Sequence, residues 1–344
     1  MNIIPDFSLT GITTFRLGGF ARFFCEVKNI EDLKGAISFS KEKGVPFIVV
    51  GGGSNTLFRD DGFPGLVIKI SFTGIEIVRS EDSVSIYSGA GENWDSLVML
   101  AVTGNLSGIE NLSGIPGTVG GALVQNIGAY GREIKDVFLE AEVFDAGSGE
   151  LKKFSAGDCD FAYRSSIFKT NPHLIVLKVT LKLSVNFSPS LSYPDLRRRL
   201  ESRPSPNLKE VREVVLCIRA EKLPDWRKIG TAGSFFKHPV VPGDIFRSLA
   251  LKFPEVPLLR EGVDTFKVPA GWLLDKVGGF KGVRRGMVGT APRHALVIVA
   301  EPGAKSSEVV VLAEEMRQKI FEETGVTLEP EVMTPGVEWG NLQV

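Results

Sequence analysis

The sequence predicts an α+β protein with more than one domain. Its 344 residues exceed the usual size of a single hydrophobic core, so two or three cores are expected. A strand-helix-strand pattern near the N-terminus is followed by two hairpin patterns, and a Pro- and Ser-rich stretch at 184–207 separates these from a helix-rich second half. These observations set the fold class and place a domain boundary near residue 205.

The elements of the first half follow from the periodicity of apolar residues. "ARFFCEV" predicts a strand, "IEDLKGAISFSKEKG" an amphipathic helix that ends at Gly44, and "PFIVV" a short buried strand. "GIEIVRSEDSVSIYSGAG" and "VFLEAEVFDAGSGELKKFS" are typical of hairpins, the second with Gly147 and Gly149 in its turn. "NWDSLVMLAVTGN" predicts a helix capped by Asn93, and in "LKVTLKL" apolar residues alternate with lysine or threonine as in a half-exposed strand.

The second half is expected to begin with a helix, because valine and isoleucine recur at helical spacing in "NLKEVREVVLCIRAEK". Further helices are expected at "GDIFRSLALKF", "AGWLLDKVG" and "SSEVVVLAEEMRQKIFEETG", and a strand at "ALVIVA". We expect residues 1–205 to form one region of two α+β subdomains, joined by a C-terminal strand at 326–344. Residues 206–325 are expected to form a second domain.

Composition and charge exclude several classes of partner. Lys and Arg total 40 against 41 Asp and Glu, which gives a net charge of −1, so no overall field attracts nucleic acid or an acidic membrane. The start "MNIIPDFSLTGITTF" lacks the pattern of an export signal, and no apolar run approaches the roughly 20 residues of a membrane helix. We therefore expect a cytoplasmic protein that binds neither nucleic acid nor membrane, and we expect a monomer.

Cysteine usage indicates a reducing environment. Cys25, Cys159 and Cys217 are far apart, odd in number and in no Cys-x-x-Cys pair, which argues against disulfides and against a zinc site. We expect three reduced, buried thiols and no metal.

The first glycine-rich segment is "VVGGGSNTLF". It lacks the third glycine of the dinucleotide fingerprint and opens no obvious helix, and the chain has no Gly-Lys-Ser/Thr phosphate loop. Three glycines nevertheless allow a tight turn that brings backbone N–H groups against phosphate oxygens. A plain turn after a strand is an equally good explanation of these residues alone.

The second segment, "GIENLSGIPGTVGGALVQNIGAYG", carries no charge after Glu110. Its glycines recur every three or so residues, and Gln125 and Asn126 add neutral hydrogen-bonding groups, which fits backbone lying close to a flat neutral heterocycle. Its apolar residues argue against a solvated loop.

These segments, together with "FAYRSSIFK", "KLPD", "GTAGSFFKHPVV", "PAGWLLDKVG" and "LEPEV", resemble the successive motifs of the UDP-N-acetylenolpyruvoylglucosamine reductase (MurB) family, in the form with a tyrosine loop. The order is the same over nearly the whole chain. The resemblance implies an FAD-binding fold of the vanillyl-alcohol oxidase (PCMH) type with a C-terminal α/β substrate-binding domain. It also implies noncovalent FAD, NADPH as reductant, and a UDP-sugar substrate, the enolpyruvyl ether of UDP-N-acetylglucosamine, in peptidoglycan precursor synthesis.

The reaction implied by this resemblance needs three groups, because hydride addition to the enolpyruvyl double bond leaves negative charge next to a carboxylate. The matching motifs supply Arg164 as a cation for the carboxylate, Ser234 as proton donor and Glu331 as a carboxylic acid. Glu329 is a competing carboxylate beside Glu331.

The resemblance also implies two binding sets. The FAD-binding set is Gly51, Gly52, Gly53, Ser54, Asn55, Thr56, Gly114, Ile115, Gly117, Gly120, Gly121, Asn126, Gly128, Ala129 and Arg219. The substrate or NADPH set is Tyr130, Tyr163, Tyr193, Lys222, His238, Lys267 and His294. His238 and His294 stand where the family commonly has amides, and we interpret both as neutral replacements.

Two alternatives remain from the sequence. One is another noncovalent-FAD oxidase or dehydrogenase of the same fold, although it would leave "GSFFK" and "EPEV" without a role. The other is a noncatalytic FAD-binding regulatory protein.

Overall fold

The computed structural model describes residues 1–81, 83–203 and 205–340, which form a mixture of strands and helices. The strands are β1 (Ile3–Ser8), β2 (Phe20–Val27), β3 (Phe47–Val50), β4 (Phe63–Ile70), β5 (Ile75–Arg79), β6 (Ser83–Gly89), β7 (Gly128–Ala129), β8 (Arg132–Glu133), β9 (Phe138–Asp145), β10 (Glu150–Ser155), β11 (Leu174–Ser184), β12 (Val240–Pro242), β13 (Leu259–Arg260), β14 (Thr265–Lys267), β15 (Arg284–Arg285), β16 (Val288–Ala291) and β17 (His294–Ala300). The helices are α1 (Ile30–Lys43), α2 (Trp94–Thr103), α3 (Val119–Val124), α4 (Ile167–Thr170), α5 (Pro194–Leu200), α6 (Leu208–Lys222), α7 (Gly243–Lys252), α8 (Ala270–Trp272) and α9 (Ser306–Thr324). A π-helical turn, Leu273–Val277, continues α8.

The periodic elements predicted from the sequence are confirmed. Helix α1 ends at Gly44, which has a φ of 61°, and the Asn93 side chain accepts the Ser96 N–H at 2.9 Å to cap α2. Both predicted hairpins form as antiparallel pairs, β5 with β6 and β9 with β10. These assignments depend on local signals, which is why sequence was sufficient.

Three segments differ from expectation. Helix α5 lies inside the stretch expected to be a connection, because Leu196 and Leu200 are buried against α6. Helix α3 lies inside the second glycine-rich segment. No named strand covers 326–340; this segment pairs through single bridges at Pro330 and Met333, and Pro330 has no N–H for a continuous ladder. The last part of the expected strand, 341–344, lies outside the described residues.

The chain forms two compact units, each built from separated segments. Unit 1 comprises Met1–Phe7, Ala21–Gly53 and Pro64–Ala220, and unit 2 comprises Ser8–Phe20, Ser54–Phe63 and Glu221–Val344. The boundary therefore differs from 205/206, since most of α6 groups with unit 1, where its Val211, Val215 and Ile218 pack with α5. The C-terminal segment groups with unit 2.

Unit 1 holds two larger sheets, the two-stranded β7–β8 hairpin and one large core. The four-stranded sheet has the order β1-β2-β4-β3 with β3 parallel to β4, and the antiparallel five-stranded sheet has the order β10-β9-β11-β6-β5. Cys25 and Cys159 are buried in this core, and burial raises the pKa of each thiol to about 12. The expectation for Cys217 was wrong: it is exposed on the solvent side of α6, 3.6 Å from Arg199 Nη1.

Unit 2 holds two three-stranded sheets, β12-β14-β13 and β15-β16-β17, and the long helix α9. Its N-terminal segments are integral to it. Phe15 and Leu57 are fully buried in its core with Phe235, and the Asp60 carboxylate accepts the N–H groups of Ser306 and Ser307 at 2.6 and 3.1 Å. None of the helices in the described part of the chain has the length and apolar character to cross a membrane.

Gly62 and Gly44 distinguish the cost of a positive φ from the cost of a steric clash when a side chain is added. Both have positive φ, 83° and 61°, but a Cβ on Gly62 would lie against the Phe20 carbonyl oxygen, whereas nothing lies within 4 Å of a Cβ on Gly44. We expect Gly44→Ala to lower the free energy of unfolding by about 1–2 kcal/mol. Gly62→Ala should cost clearly more, because backbone must also move. Urea unfolding of both variants measures the difference, and equal losses would contradict it.

Candidate active site

The two glycine-rich segments lie against each other in unit 1. A Cβ on Gly51 would lie 2.4 Å from the Thr118 hydroxyl oxygen, and one on Gly52 would lie 2.9 Å from Gly117 Cα. Gly117 itself has a φ of 118°, which only glycine adopts readily. These glycines are expected to bind a ligand, and the contact between the segments gives a second, structural reason for them.

The paired segments leave backbone accessible. Gly52 and Gly121 are exposed, and Ile115 is half-buried, although Val119 and Gly120 directly behind them are buried. Thr118 is the N-cap of helix α3, and its hydroxyl accepts the Gly121 N–H at 3.3 Å. A strip of bare backbone with one aliphatic side chain fits a ligand that combines a diphosphate with a flat ring, as FAD does.

One carboxylate fixes the start of this strip. Asp95 Oδ1 accepts the Gly114 N–H at 2.6 Å, and both Asp95 oxygens bind the Arg212 guanidinium, at 2.6 and 2.8 Å. Burial opposes ionisation of Asp95, but Arg212 and the Gly114 N–H outweigh it and lower the pKa of that carboxyl. Arg219 lies beside the same turn, since a Cβ on Gly114 would lie 3.1 Å from Arg219 Nε. The sequence analysis missed Asp95 and Arg212, although Arg212 precedes Arg219 by seven residues and so shares its helix face.

Ser190 and Tyr193, from the Pro- and Ser-rich stretch, lie against the second glycine-rich segment. The rings of Tyr130 and Tyr193 meet edge to face with centroids 5.0 Å apart. Asn111, which is fully buried, donates to the Tyr130 carbonyl at 2.7 Å and to the Ser190 carbonyl at 3.0 Å. Burial raises the pKa of Tyr130 to about 12. Asn111 was not anticipated because its partners are backbone groups distant in sequence.

Arg164 is held from two directions. Its Nη2 donates to the Gly128 carbonyl at 2.5 Å, and its guanidinium carbon lies 5.0 Å from the centroid of the Tyr163 ring. Arg164, Asn126 and Tyr130 all have positive φ, 55°, 42° and 49°. Non-glycine residues in this region are strained, and such strain is concentrated at functional sites.

Asn126 has a structural use for its side chain. Its Nδ2 donates to the Ala162 carbonyl at 2.9 Å and to Glu133 Oε2 at 3.2 Å, and the side chain is fully buried. The contact of Asn126 with FAD stays a prediction, because both its side-chain donors are used within the chain.

In unit 2, three motif segments pair with one another. Met333 N–H donates to the Asn55 carbonyl and Leu57 N–H to the Met333 carbonyl, both at 2.9 Å, and Asn55 Nδ2 donates to the Glu331 carbonyl at 3.1 Å. Ser54–Thr56 are thereby joined to the "EPEV" segment. This pairing of the chain's first and last motifs could not be deduced from spacing.

Ser234 lies next to the same segment. The Phe235 N–H donates to the Leu296 carbonyl at 2.9 Å, and the Phe235 carbonyl accepts the Glu331 N–H at 2.8 Å. Phe235 and Phe236 are fully buried, so they anchor the motif, while Ser234 is half-buried.

Glu329 and Glu331 differ in environment. The Glu329 side chain is 71% exposed and its carboxylate lies 3.2 Å from Lys237 Nζ, whereas Glu331 is half-buried. This difference favours Glu331 as the functional carboxyl.

The two histidines use the same ring atom. His238 Nδ1 accepts the Ala270 N–H at 3.2 Å, and His294 Nδ1 accepts the Leu296 N–H at 3.3 Å. An accepting Nδ1 requires the neutral imidazole with its proton on Nε2, an N–H donor like the amides that these residues were expected to replace. Burial, followed by the charge of Lys222 and then Lys281, lowers the pKa of His294.

The predicted residues divide between the units. Unit 1 contains Gly51, Gly52, Gly53, Gly114, Ile115, Gly117, Gly120, Gly121, Asn126, Gly128, Ala129, Tyr130, Tyr163, Arg164, Tyr193 and Arg219. Unit 2 contains Ser54, Asn55, Thr56, Lys222, Ser234, His238, Lys267, His294 and Glu331. Lys267 Nζ lies 2.8 Å from Glu261 Oε1.

Gly52→Ala tests the contact between the glycine-rich segments. Overpacking costs about 1–3 kcal/mol, so we expect roughly tenfold weaker FAD binding, measured by flavin fluorescence after reconstitution. Gly35→Ala is the control: it lies inside α1, and its Cβ would meet only Met1 Cε, at 3.4 Å. Unchanged FAD affinity in Gly52→Ala would contradict the assignment.

His294 should make stability depend on pH. Its folded pKa is below 6.5, so on acidification the unfolded chain takes up a proton before the folded chain does, and stability falls as pH drops below about 6.5. His294→Gln should flatten the dependence of Tm between pH 7.5 and pH 5, while the exposed His173→Gln controls for loss of an imidazole. A slope that His294→Gln leaves unchanged would refute this.

Comparisons with known proteins match this organisation. Residues 21–155 match the model of the FAD binding domain, and residues 224–334 match that of the UDP-N-acetylenolpyruvoylglucosamine reductase C-terminal domain. Both models fit the predicted fold class, an α+β FAD-binding fold with a further C-terminal domain, which is confirmed.

Whole proteins match over nearly their full length. The UDP-N-acetylenolpyruvoylglucosamine reductase of Pseudomonas aeruginosa is 41% identical over 94% of this chain and 96% of its own, and that of Bacteroides fragilis is 37% identical over 95% and 98%. The crystal structure of UDP-N-acetylenolpyruvylglucosamine reductase (MurB) from Thermus caldophilus superposes with a TM-score of 0.66 at 27% identity, covering 97% of this chain and 98% of that one. The chain therefore belongs to the UDP-N-acetylenolpyruvoylglucosamine reductase family.

Proposed function

We propose that this protein uses NADPH and noncovalent FAD to reduce UDP-N-acetylglucosamine enolpyruvate to UDP-N-acetylmuramate, as a cytoplasmic monomer in peptidoglycan precursor synthesis. Membership of the family supports the reaction. Among the contacts, the one that carries the proposal is the backbone bond between Phe235 and Glu331, which sets Ser234 beside the segment of the proposed carboxylic acid.

The residues proposed to hold FAD fit its chemistry. Gly51–Thr56 would follow its diphosphate, and Gly114–Ala129 would follow the diphosphate and the ring. Arg219 is half-buried, and burial lowers the pKa of its guanidinium despite the opposing effects of Tyr130 and Asp95, so a bound anion would offset the cost of its desolvation. When bound, FAD supplies hydride transfer from NADPH to the substrate double bond.

The chain's own residues then handle charge and protons. Arg164 binds the substrate carboxylate, since a guanidinium matches a planar carboxylate with two parallel hydrogen bonds. The charge that develops beside the carboxylate is stabilised there. Ser234 Oγ donates the single proton to the carbon next to the carboxylate, and Glu331, as a carboxylic acid, donates a hydrogen bond to the carboxylate on which the charge develops. Tyr193, Lys222, Lys267, His238 and His294 are proposed to hold the sugar nucleotide or NADPH.

Anaerobic half-reactions test the overall proposal. The flavin should bleach on addition of NADPH and regain its colour on addition of the enolpyruvyl sugar nucleotide. Bleaching without reoxidation would favour another flavin oxidase or dehydrogenase, and flavin that NADPH does not bleach would favour a noncatalytic binding protein.

Ser234→Ala should separate the two half-reactions. Loss of a positioned proton donor costs about 10²- to 10⁴-fold, so we expect that much slowing of reoxidation, with reduction by NADPH nearly unchanged. Ser248→Ala, at an exposed position on α7, is the control. Comparable slowing of both half-reactions in Ser234→Ala, measured by stopped-flow absorbance, would exclude the assigned role.

A further inference from the structure

The carboxylate of Glu133 lies beside Arg164, the residue proposed to bind the substrate carboxylate. Its Oε2 is 2.8 Å from Lys135 Nζ and 3.2 Å from Asn126 Nδ2, and its Oε1 is 3.9 Å from Arg164 Nη1. The Glu133 and Arg164 side chains are only 24% and 18% exposed. Water therefore screens their interaction less than it would at an open surface.

The β7–β8 hairpin explains how these groups meet. Gly128 pairs with Glu133 across the hairpin, and a Cβ on Gly128 would lie 2.8 Å from both Arg164 Nη1 and Glu133 Cγ. Glycine at this position thus lets Arg164 and Glu133 approach. With the bond from Arg164 Nη2 to the Gly128 carbonyl, the guanidinium is constrained by the hairpin at two points.

The separation of the two charges determines what Glu133 does. Charge-assisted hydrogen bonds are about 2.7–2.9 Å long, so the 3.9 Å contact is an ion pair and not a bidentate fork. Lys135 and Asn126 hold the other oxygen of Glu133, and the Glu133 side chain also accepts the Asp136 N–H at the start of the turn that follows β8. Glu133 therefore attracts the guanidinium at Nη1 over an ion-pair distance, while Nη2 donates to the Gly128 carbonyl.

We propose that Glu133 is a positioning residue that holds the Arg164 guanidinium in the orientation that binds the substrate carboxylate, without itself touching substrate. This rests on the proposed function, in which Arg164 binds that carboxylate. A carboxylate that only braced the hairpin would affect every ligand equally, whereas a residue that orients Arg164 affects only ligands that carry the carboxylate.

Glu133→Gln removes the charge and keeps the shape. We expect about tenfold weaker binding of UDP-N-acetylglucosamine enolpyruvate, with reoxidation slowed to a similar extent. Binding of UDP-N-acetylglucosamine, which lacks the enolpyruvyl carboxylate, should change less than about twofold, as should reduction by NADPH. Glu133→Asp keeps the charge and should recover at least part of the loss. Glu140→Gln, which breaks the exposed ion pair with Lys153 on the β9–β10 hairpin, is the matched control.

A double-mutant cycle with Arg164→Lys tests the route of the effect. If Glu133 acts through the planar guanidinium, Glu133→Gln should add less than about twofold in the Arg164→Lys background. Equal weakening of both nucleotides, no weakening, or full additivity would overturn the role of Glu133. If the wild-type flavin is not reoxidised by the enolpyruvyl nucleotide, the proposed function fails instead, so the two failures are distinguishable.

Discussion

The candidate cofactor site of unit 1 depends on one constraint: the two glycine-rich segments must pack closely against each other, and only glycine allows this. Gly51 and Gly52 lie so close to Gly117 and Thr118 that any Cβ would force the two segments apart. The same Thr118 caps α3, so displacement of Gly51 would disturb the start of that helix as well. The two segments approach this closely only because Gly51, Gly52 and Gly117 have no side chains.

Much of the fold could be predicted because its signals are local. The Asn93 cap, the Gly44 terminus and the alternation in β11 each involve a few neighbouring residues. Helix α5 could not be predicted, since its Leu196 and Leu200 gain their stability from packing against α6 and its sequence reads as a connection. The composition of the two units was equally inaccessible, because segments 8–20 and 54–63 join unit 2 by tertiary contacts alone.

In the candidate site, too, residues with a local sequence signal could be predicted and residues that depend on tertiary contacts could not. Residues in contiguous motifs, such as Ser234 and Arg164, were found by resemblance to a family. The residues that support them, such as Asp95, Asn111 and Glu133, were not, because each bonds to groups far away in the sequence and none has a characteristic spacing. Polar side chains that are buried or half-buried around the motifs thus hold the groups that the motifs supply, and sequence patterns do not identify such side chains.

The discontinuity of unit 2 affects how the protein is made. Asn55 forms a hydrogen bond with Glu331, 276 residues later, and Leu57 forms one with Met333. The N-terminal segments of this unit can make these contacts only after residues 331–333 have been synthesised. Phe15 and Leu57 emerge from the ribosome early, yet their burial in the unit 2 core requires residues beyond 230. Domains generally fold as units, starting with the N-terminal one during synthesis. Here the N-terminal apolar segments of unit 2 stay uncovered through most of translation, and this protein should depend on chaperones that shield nascent chains more than a protein with contiguous domains would.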